Sequence, residues 1–259
     1  KIFSVHKEKS IIWLAALIIL WEVSARLGLT NTYILPPFST VMPRLYRELV
    51  FGRLGLQTLS SIWLVSLGFL ISFALAVVIT ALCAWLKPIE GLFNTLSNIL
   101  NPLPAVAIMP LIIMWFGIEL KAMCIIIIHG VLWTLVRHLL DGLRSVSAAQ
   151  IEFGRNIGLS PRKMFTGITI YMLMPEFLAG LRTGWGRAWR AVISVEMVFG
   201  IIGAAGGLGY YIYMGRAYAK IADVLAGVIV IAAIGILAEF LVFSQIERVT
   251  TRKWGMTRE

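Results

Sequence analysis

The sequence predicts an all-α, polytopic transmembrane helical bundle of about six spans, and three observations carry that prediction. Hydrophobic residues make up 59% of the 259, charged residues only 14%, and mean hydropathy is +0.87. Soluble domains carry roughly 25% charged residues, so this chain lacks the polar surface that water on all sides requires. The apolar residues are also gathered into runs near 20 long, the length that carries a helix across a hydrocarbon core.

The first run, 11–29, follows Lys7 and Lys9, and Val23-Ser24-Ala25 within it imitates a signal-peptide cleavage site. The apolar remainder of the chain favours an uncleaved first span. Leu35-Pro36-Pro37-Phe38-Ser39-Thr40-Val41 then turns the chain. Ser39 or Thr40 can cap a helix through Val50, with Val41, Leu45 and Leu49 on one face, lying flat on the outer surface. The second span is 61–86. The third, 92–116, is interrupted by Pro102, Pro104 and Pro110. The fourth, 120–140, holds His129, read as a core histidine, with Arg137 and Asp141 as an i, i+4 pair near its end. The fifth is 176–199 and the sixth 224–243. Spans three and five are the least apolar, and such interruptions in transporters mark the pathway.

The net charge of +10 raises the question of nucleic acid. With the N-terminus inside, 13 of the 23 Lys and Arg fall on the inner segments or at the inner end of span four, and 7 outside. The charge is therefore topological: both termini are expected in the cytoplasm, and nucleic acid is not an expected partner. Cys83 and Cys124 lie in apolar runs without metal-ligand spacing and read as membrane-buried thiols. Gly203-Ala-Ala-Gly-Gly-Leu-Gly209 resembles a nucleotide loop only superficially, since no Gly-Lys dipeptide occurs. It reads as an outer loop, and energy must come from another chain.

The inner loop at about 144–175 is the most orderly stretch. Ser147 and Gln150 form a capping box that starts a helix. Gly158 sits where a left-handed cap would end it, and Ser160-Pro161 offers a second start. Two short helices meeting at an elbow are predicted.

This loop resembles that of the permeases of binding-protein-dependent ABC importers, whose pattern is Glu-Ala-Ala, three residues, Gly, nine residues, Ile, one residue, Leu-Pro. Glu152, Gly154, Gly158 and Ile168 match, whereas Phe153 and Tyr171 depart. Ile34-Leu-Pro-Pro37, the stretch Asn101 to Gly117, Gly142 to Val146 and Gly180 to Arg190 look like the nitrate, sulfonate and taurine branch. The resemblance runs through nearly the whole chain. It implies a type I importer permease fold in a single domain, 1–259, in a bacterial inner membrane. It implies assembly as a homodimer with two ATPase subunits and an external solute-binding protein, within membrane lipid. Coupling would fall to Glu152, Gly154, Gly158, Leu159 and Ser160. The chain itself would bind no cofactor and be no enzyme, with ATP and Mg held by the partner ATPase. ATP binding would close the ATPases, pull the coupling loops together and open the bundle outward.

In span five, Arg182, Trp185, Trp189 and Glu196 fall within a narrow arc of a helical wheel, and Arg190 lies beside it. Gly180 and Gly184 form a Gly-x-x-x-Gly pair for close packing. Arg182 is near enough to the interface to snorkel. Arg187 and Arg190, deep in the span, must face protein or water. Two readings stand. In one, Trp185, Arg187, Trp189, Arg190 and Glu196 line a path for a small anion such as a sulfonate, taurine or nitrate. In the other, Arg190 pairs with Glu196 or Glu239 and braces the bundle. A secondary transporter is the rival function, although no internal repeat is visible. A membrane enzyme would need converging nucleophile or metal residues, which three scattered histidines do not supply.

Overall fold

The computed structural model describes residues 2–201 and 206–255, with side chains from Ile12 onward. Lys1, Lys7, Lys9 and Arg258 of the charge count, and Gly203 to Ala205 of the expected outer loop, lie outside the described residues or side chains. The described residues form helices joined by turns and loops, with no strand among them: α1 (Ile2–Arg26), α2 (Phe38–Val50), α3 (Leu54–Trp85), α4 (Lys87–Leu100), α5 (Met109–Phe116), α6 (Leu120–Arg144), α7 (Ala148–Asn156) and α8 (Pro161–Met164). A π-helical turn, Phe165–Thr169, leads into α9 (Ile170–Phe199). Then come α10 (Leu208–Ala217), α11 (Ile221–Leu237), a second π-helical turn (Ala238–Phe243) and α12 (Ser244–Val249).

Among the described residues, four helical stretches are long and apolar enough to cross a membrane: Leu54–Trp85, Leu120–Arg144, Pro161–Phe199 and Ile221–Val249. The expected third span is split. Pro102 and Pro104 supply no backbone N–H and clash with a preceding turn, so α4 stops at Leu100 and helix resumes only at Met109. The expected fifth span is longer than its sequence suggested. α8, the π turn and α9 run on as one 39-residue stretch, with Pro175 inside it. The second helix of the elbow is therefore the tip of a span rather than a separate short helix.

The core is built on α6, whose Ile126, Ile127, Val131, Leu135 and Val136 are fully or almost fully buried. Small residues bring its neighbours close. A Cβ on Gly68 of α3 would stand 2.6 Å from Ile127 Cγ2. Cβ atoms on Gly180 and Gly184 of α9 would stand 2.8 Å from His138 Cβ and 3.1 Å from Leu135 Cδ2. The predicted glycine pair is thus the α9–α6 seam. Outward faces are apolar instead: Leu70, Val78, Leu237 and Leu241 are all exposed, which suits lipid and not water. Cys83 and Cys124 are buried free thiols.

α2 departs from its expected start. Neither Ser39 nor Thr40 caps it, because the helix already begins at Phe38. Glu22 of α1 takes the role instead, accepting from the Ser39 N–H at 3.0 Å and the Ser39 hydroxyl at 2.8 Å. A carboxylate placed there satisfies a donor of the first turn and complements the helix dipole. Val41 and Leu45 are buried while Leu49 stays exposed, and Arg44 pairs with Asp223 at the start of α11. Arg137 is also redirected. It donates to Ser97 at 3.2 Å and Asn98 at 3.1 Å on α4, and Asp141 is met by Arg144 instead.

α10 is fastened through Glu196. The Ser61 hydroxyl lies 2.7 and 2.8 Å from the two carboxylate oxygens, and the Gly209 N–H donates at 2.9 Å. The Leu208 N–H donates to Ser61 Oγ at 2.8 Å. The approach leaves no room for a side chain at Gly209: a Cβ would overlap the Ile193 carbonyl oxygen and lie 3.0 Å from Met197 N. Backbone cannot step aside as a flexible side chain can. Gly209→Ala is therefore expected to destabilise the detergent-solubilised protein by about 1–3 kcal/mol, read as a lowered melting temperature; an unchanged melt would show that α10 is not held in this way.

Candidate functional site

Two features concentrate chemistry, and α9 with its leading turn joins them. The first is the elbow. Ser147 Oγ accepts from the Gln150 N–H at 3.3 Å, and Gln150 Oε1 accepts from the Ser147 N–H at 2.9 Å, closing the predicted capping box. α7 ends in the predicted left-handed residue, with Gly158 at φ +76°. The Leu159 N–H donates to the Gly154 carbonyl at 3.0 Å and the Gly158 N–H to that of Arg155 at 2.9 Å. That hydrogen-bond pair is the Schellman arrangement. Ser160 caps α8, accepting from the Lys163 N–H at 3.4 Å, with Pro161 at the first helical position.

The elbow is folded onto the long helix by Gly154, which is buried against Leu159, Met164 and Ile168. Its free face is apolar where water would favour polar groups. Phe153 is 62% exposed and Ile157 56%, beside exposed Glu152. Among the described residues nothing covers this protruding Phe–Ile pair. Phe153, a departure from the family pattern, turns out to be its most prominent apolar group.

The second feature is a cavity of about 390 Å³ at the break between α4 and α5. Asn101, Leu103, His129, Arg187, Arg190 and Ser194 contribute to its wall. Arg187 donates to Asn101 Oδ1 at 2.9 Å. His129 Nε2 lies 3.4 Å from the Leu103 carbonyl, and the Trp133 indole N–H donates to its Nδ1 at 3.4 Å. The histidine lines the cavity and is not sealed in the core as the sequence suggested. Two guanidinium groups thus face a space that no carboxylate lines among the described residues.

Arg190 has no ion-pair partner among the described residues. The acids assigned to it by the bracing reading are engaged elsewhere: Glu196 by Ser61 and Gly209, and Glu239 by Arg182 at 2.9 Å. Arg182 is accordingly an ion-pair member and not merely a snorkelling side chain. The structure also separates the five expected pathway residues. Arg187 and Arg190 line the cavity. Trp185, Trp189 and Glu196 lie on the other side of α9, where Trp185 meets Phe69 edge-on at 5.7 Å and Trp189 donates to the Ile231 carbonyl at 3.3 Å. There the two tryptophans pack against neighbouring helices and Glu196 holds α10. Asn101 and His129 were missed as site residues, although the proline break beside Asn101 was a usable signal. No cluster of three metal-ligating side chains occurs among the described residues.

Comparison with known proteins bears on both features. The family model described as "Binding-protein-dependent transport system inner membrane component" matches residues 76–252, which hold the elbow and the cavity-lining residues. A protein of Methanocaldococcus jannaschii named as an ABC transporter permease is 30% identical over 229 residues, covering 87% of this chain and 84% of its own. The Bacillus subtilis protein named as the aliphatic sulfonates transport permease SsuC is 26% identical, covering 90% and 83% respectively. The Escherichia coli taurine transport system permease TauC is 27% identical, covering 87% and 82%.

Proposed function

The chain belongs to the family of binding-protein-dependent transport system inner membrane components, and from that premise we propose that it passes a small organic or inorganic anion, such as a sulfonate, taurine or nitrate. As a family member it is the multi-pass membrane permease subunit of an ABC importer, a non-enzymatic subunit partnered by an ATPase and a solute-binding protein. The anion reading rests on one observation above all: Arg187 and Arg190 face a cavity at an interrupted helix with no carboxylate to neutralise them. Deep cations of this kind mark substrate pathways, and a cavity of one sign raises the local concentration of the opposite charge. The names of the sulfonate and taurine relatives agree with that sign, since alkanesulfonates and the sulfonate end of zwitterionic taurine both carry negative charge.

In this reading α1 and the α4–α5 pair complete six crossings, both termini are cytoplasmic, and the whole chain is one domain. A second copy closes the open side of the cavity. Glu152, Gly154, Gly158, Leu159 and Ser160 form the elbow that seats on the ATPase, with Phe153 and Ile157 as its apolar anchor. Each partner need only favour one state of the bundle: ATP on the ATPases one opening, the released solute the other. The test is uptake by proteoliposomes carrying the permease, an ABC ATPase and a binding protein encoded with it. ATP-dependent accumulation of taurine or an alkanesulfonate is the expected result. Accumulation of that solute without any ATPase would instead establish a secondary transporter, and uptake confined to cations would remove the anion reading.

A further inference from the structure

The loop end of the bundle carries a second, quite different hollow. A groove of about 730 Å³ runs between α3, α6 and the turn leading into α9, with Val78, Trp85, Leu143, Phe165 and Leu173 among its walls. Its α3 wall extends from Val77 to Trp85, which at 1.5 Å per residue is about 12 Å of depth along the helix. Trp85 and Phe165 stand at the end nearest the elbow and are 88% and 54% exposed.

Two observations give this groove an occupant. Its mouth is basic. Arg162 and Lys163 lie three and two residues before Phe165, and Lys87 lies two after Trp85. Lys87 and Arg144 share Glu90, at 3.1 and 2.5 Å. Arg162 and Lys163 have no ion-pair partner among the described residues. The second observation is the pair of rings beside these cations, Trp85 and Phe165, both exposed and both lining the groove.

We propose that this groove binds an anionic phospholipid, one acyl chain lying along α3 and the phosphate held by Arg162 and Lys163. The aromatic pair at the mouth sits at the depth where Trp and related rings favour the membrane interface. Basic pockets between spanning helices are the setting in which acidic headgroups are recognised. The site adjoins the elbow, so the bound lipid would brace the base of α8. The proposal does not depend on which solute is carried.

Native mass spectrometry of the detergent-purified permease provides the test, with phosphatidylglycerol and phosphatidylethanolamine of identical chains added in turn. Phosphatidylglycerol adducts should survive at activation energies that strip phosphatidylethanolamine. Each basic residue near an acidic surface contributes a factor of about five, so Arg162→Gln/Lys163→Gln should lower phosphatidylglycerol retention roughly ten- to thirtyfold and leave phosphatidylethanolamine unchanged. Ala84→Trp, which fills the groove at an exposed position, should abolish the adduct while the protein stays monodisperse. Equal retention of the two lipids would overturn the proposal. So would retention indifferent to Ala84→Trp, which would place the lipid elsewhere or show the groove covered by a second copy. The readout is a bound mass and involves no transport, so it stands or falls separately from the anion reading.

Discussion

Replacing Arg187 by glutamine is expected to reduce solute uptake by one to two orders of magnitude while leaving the amount of membrane-inserted protein unchanged. A charge-assisted hydrogen bond is worth about 1.5–3 kcal/mol, equivalent to roughly 10- to 150-fold in an equilibrium constant. Arg187 is the cavity guanidinium held in place, through Asn101 at 2.9 Å. That contact permits a sharper comparison. If the arginine served only to tie α9 to the unwound stretch after α4, Asn101→Ala would break the same tie and lose the same uptake. If it meets the solute, Asn101→Ala leaves the charge in the cavity and retains much of the activity. Equal losses in the two variants, or loss of inserted protein with Arg187→Gln, would return the residue to a bracing role.

Gly158→Val should abolish ATP-dependent uptake and release of the ATPase should accompany it. Gly158 is left-handed, at φ +76°, where a residue with a Cβ is strained by about 1–2 kcal/mol and a β-branched one is a genuine outlier. Escape from that strain breaks the two hydrogen bonds that end α7, so the elbow loses its shape. Nothing lies within 4 Å of a Cβ built there, so crowding is not the cause and the spanning helices have no reason to unfold. Gly158→Asn supplies the control, because asparagine tolerates the left-handed region and should keep most of the uptake. Co-purification of the ATPase with the valine variant, at wild-type yield, would refute the elbow as the point of attachment.

The features legible in the sequence were those that local chemistry decides. The capping box at Ser147, the reversal at Gly158 and the start at Ser160 each depend on a few adjacent residues, and each forms as expected. The interruption of 92–116 was legible for the same reason, since proline acts on its own turn. What escaped was everything that depends on which neighbour a face meets. Trp185, Trp189 and Glu196 share an arc with each other, but a helical wheel cannot say whether that arc turns toward α3 and α11 or toward an open space. Ser39 looked like a cap until Glu22, seventeen residues earlier, proved better placed. His129 was read as interior because its span is apolar, whereas the gap opened by Pro102 and Pro104 brings it to a cavity wall. The continuity of Pro161 to Phe199 was hidden by Pro175, which a long spanning helix accommodates.

That continuity has a mechanical corollary. From Pro161 to Arg187 the chain rises about 39 Å at 1.5 Å per residue, and the π turn at Phe165–Thr169 is its one departure from α-helical winding over that distance. A shove at its foot is therefore carried upward through continuous helix, with the π turn and Pro175 as its two points of give. The guanidinium groups, some two-thirds of the way along it, would then move with the elbow through the backbone itself, with no relay of intermediate side chains required.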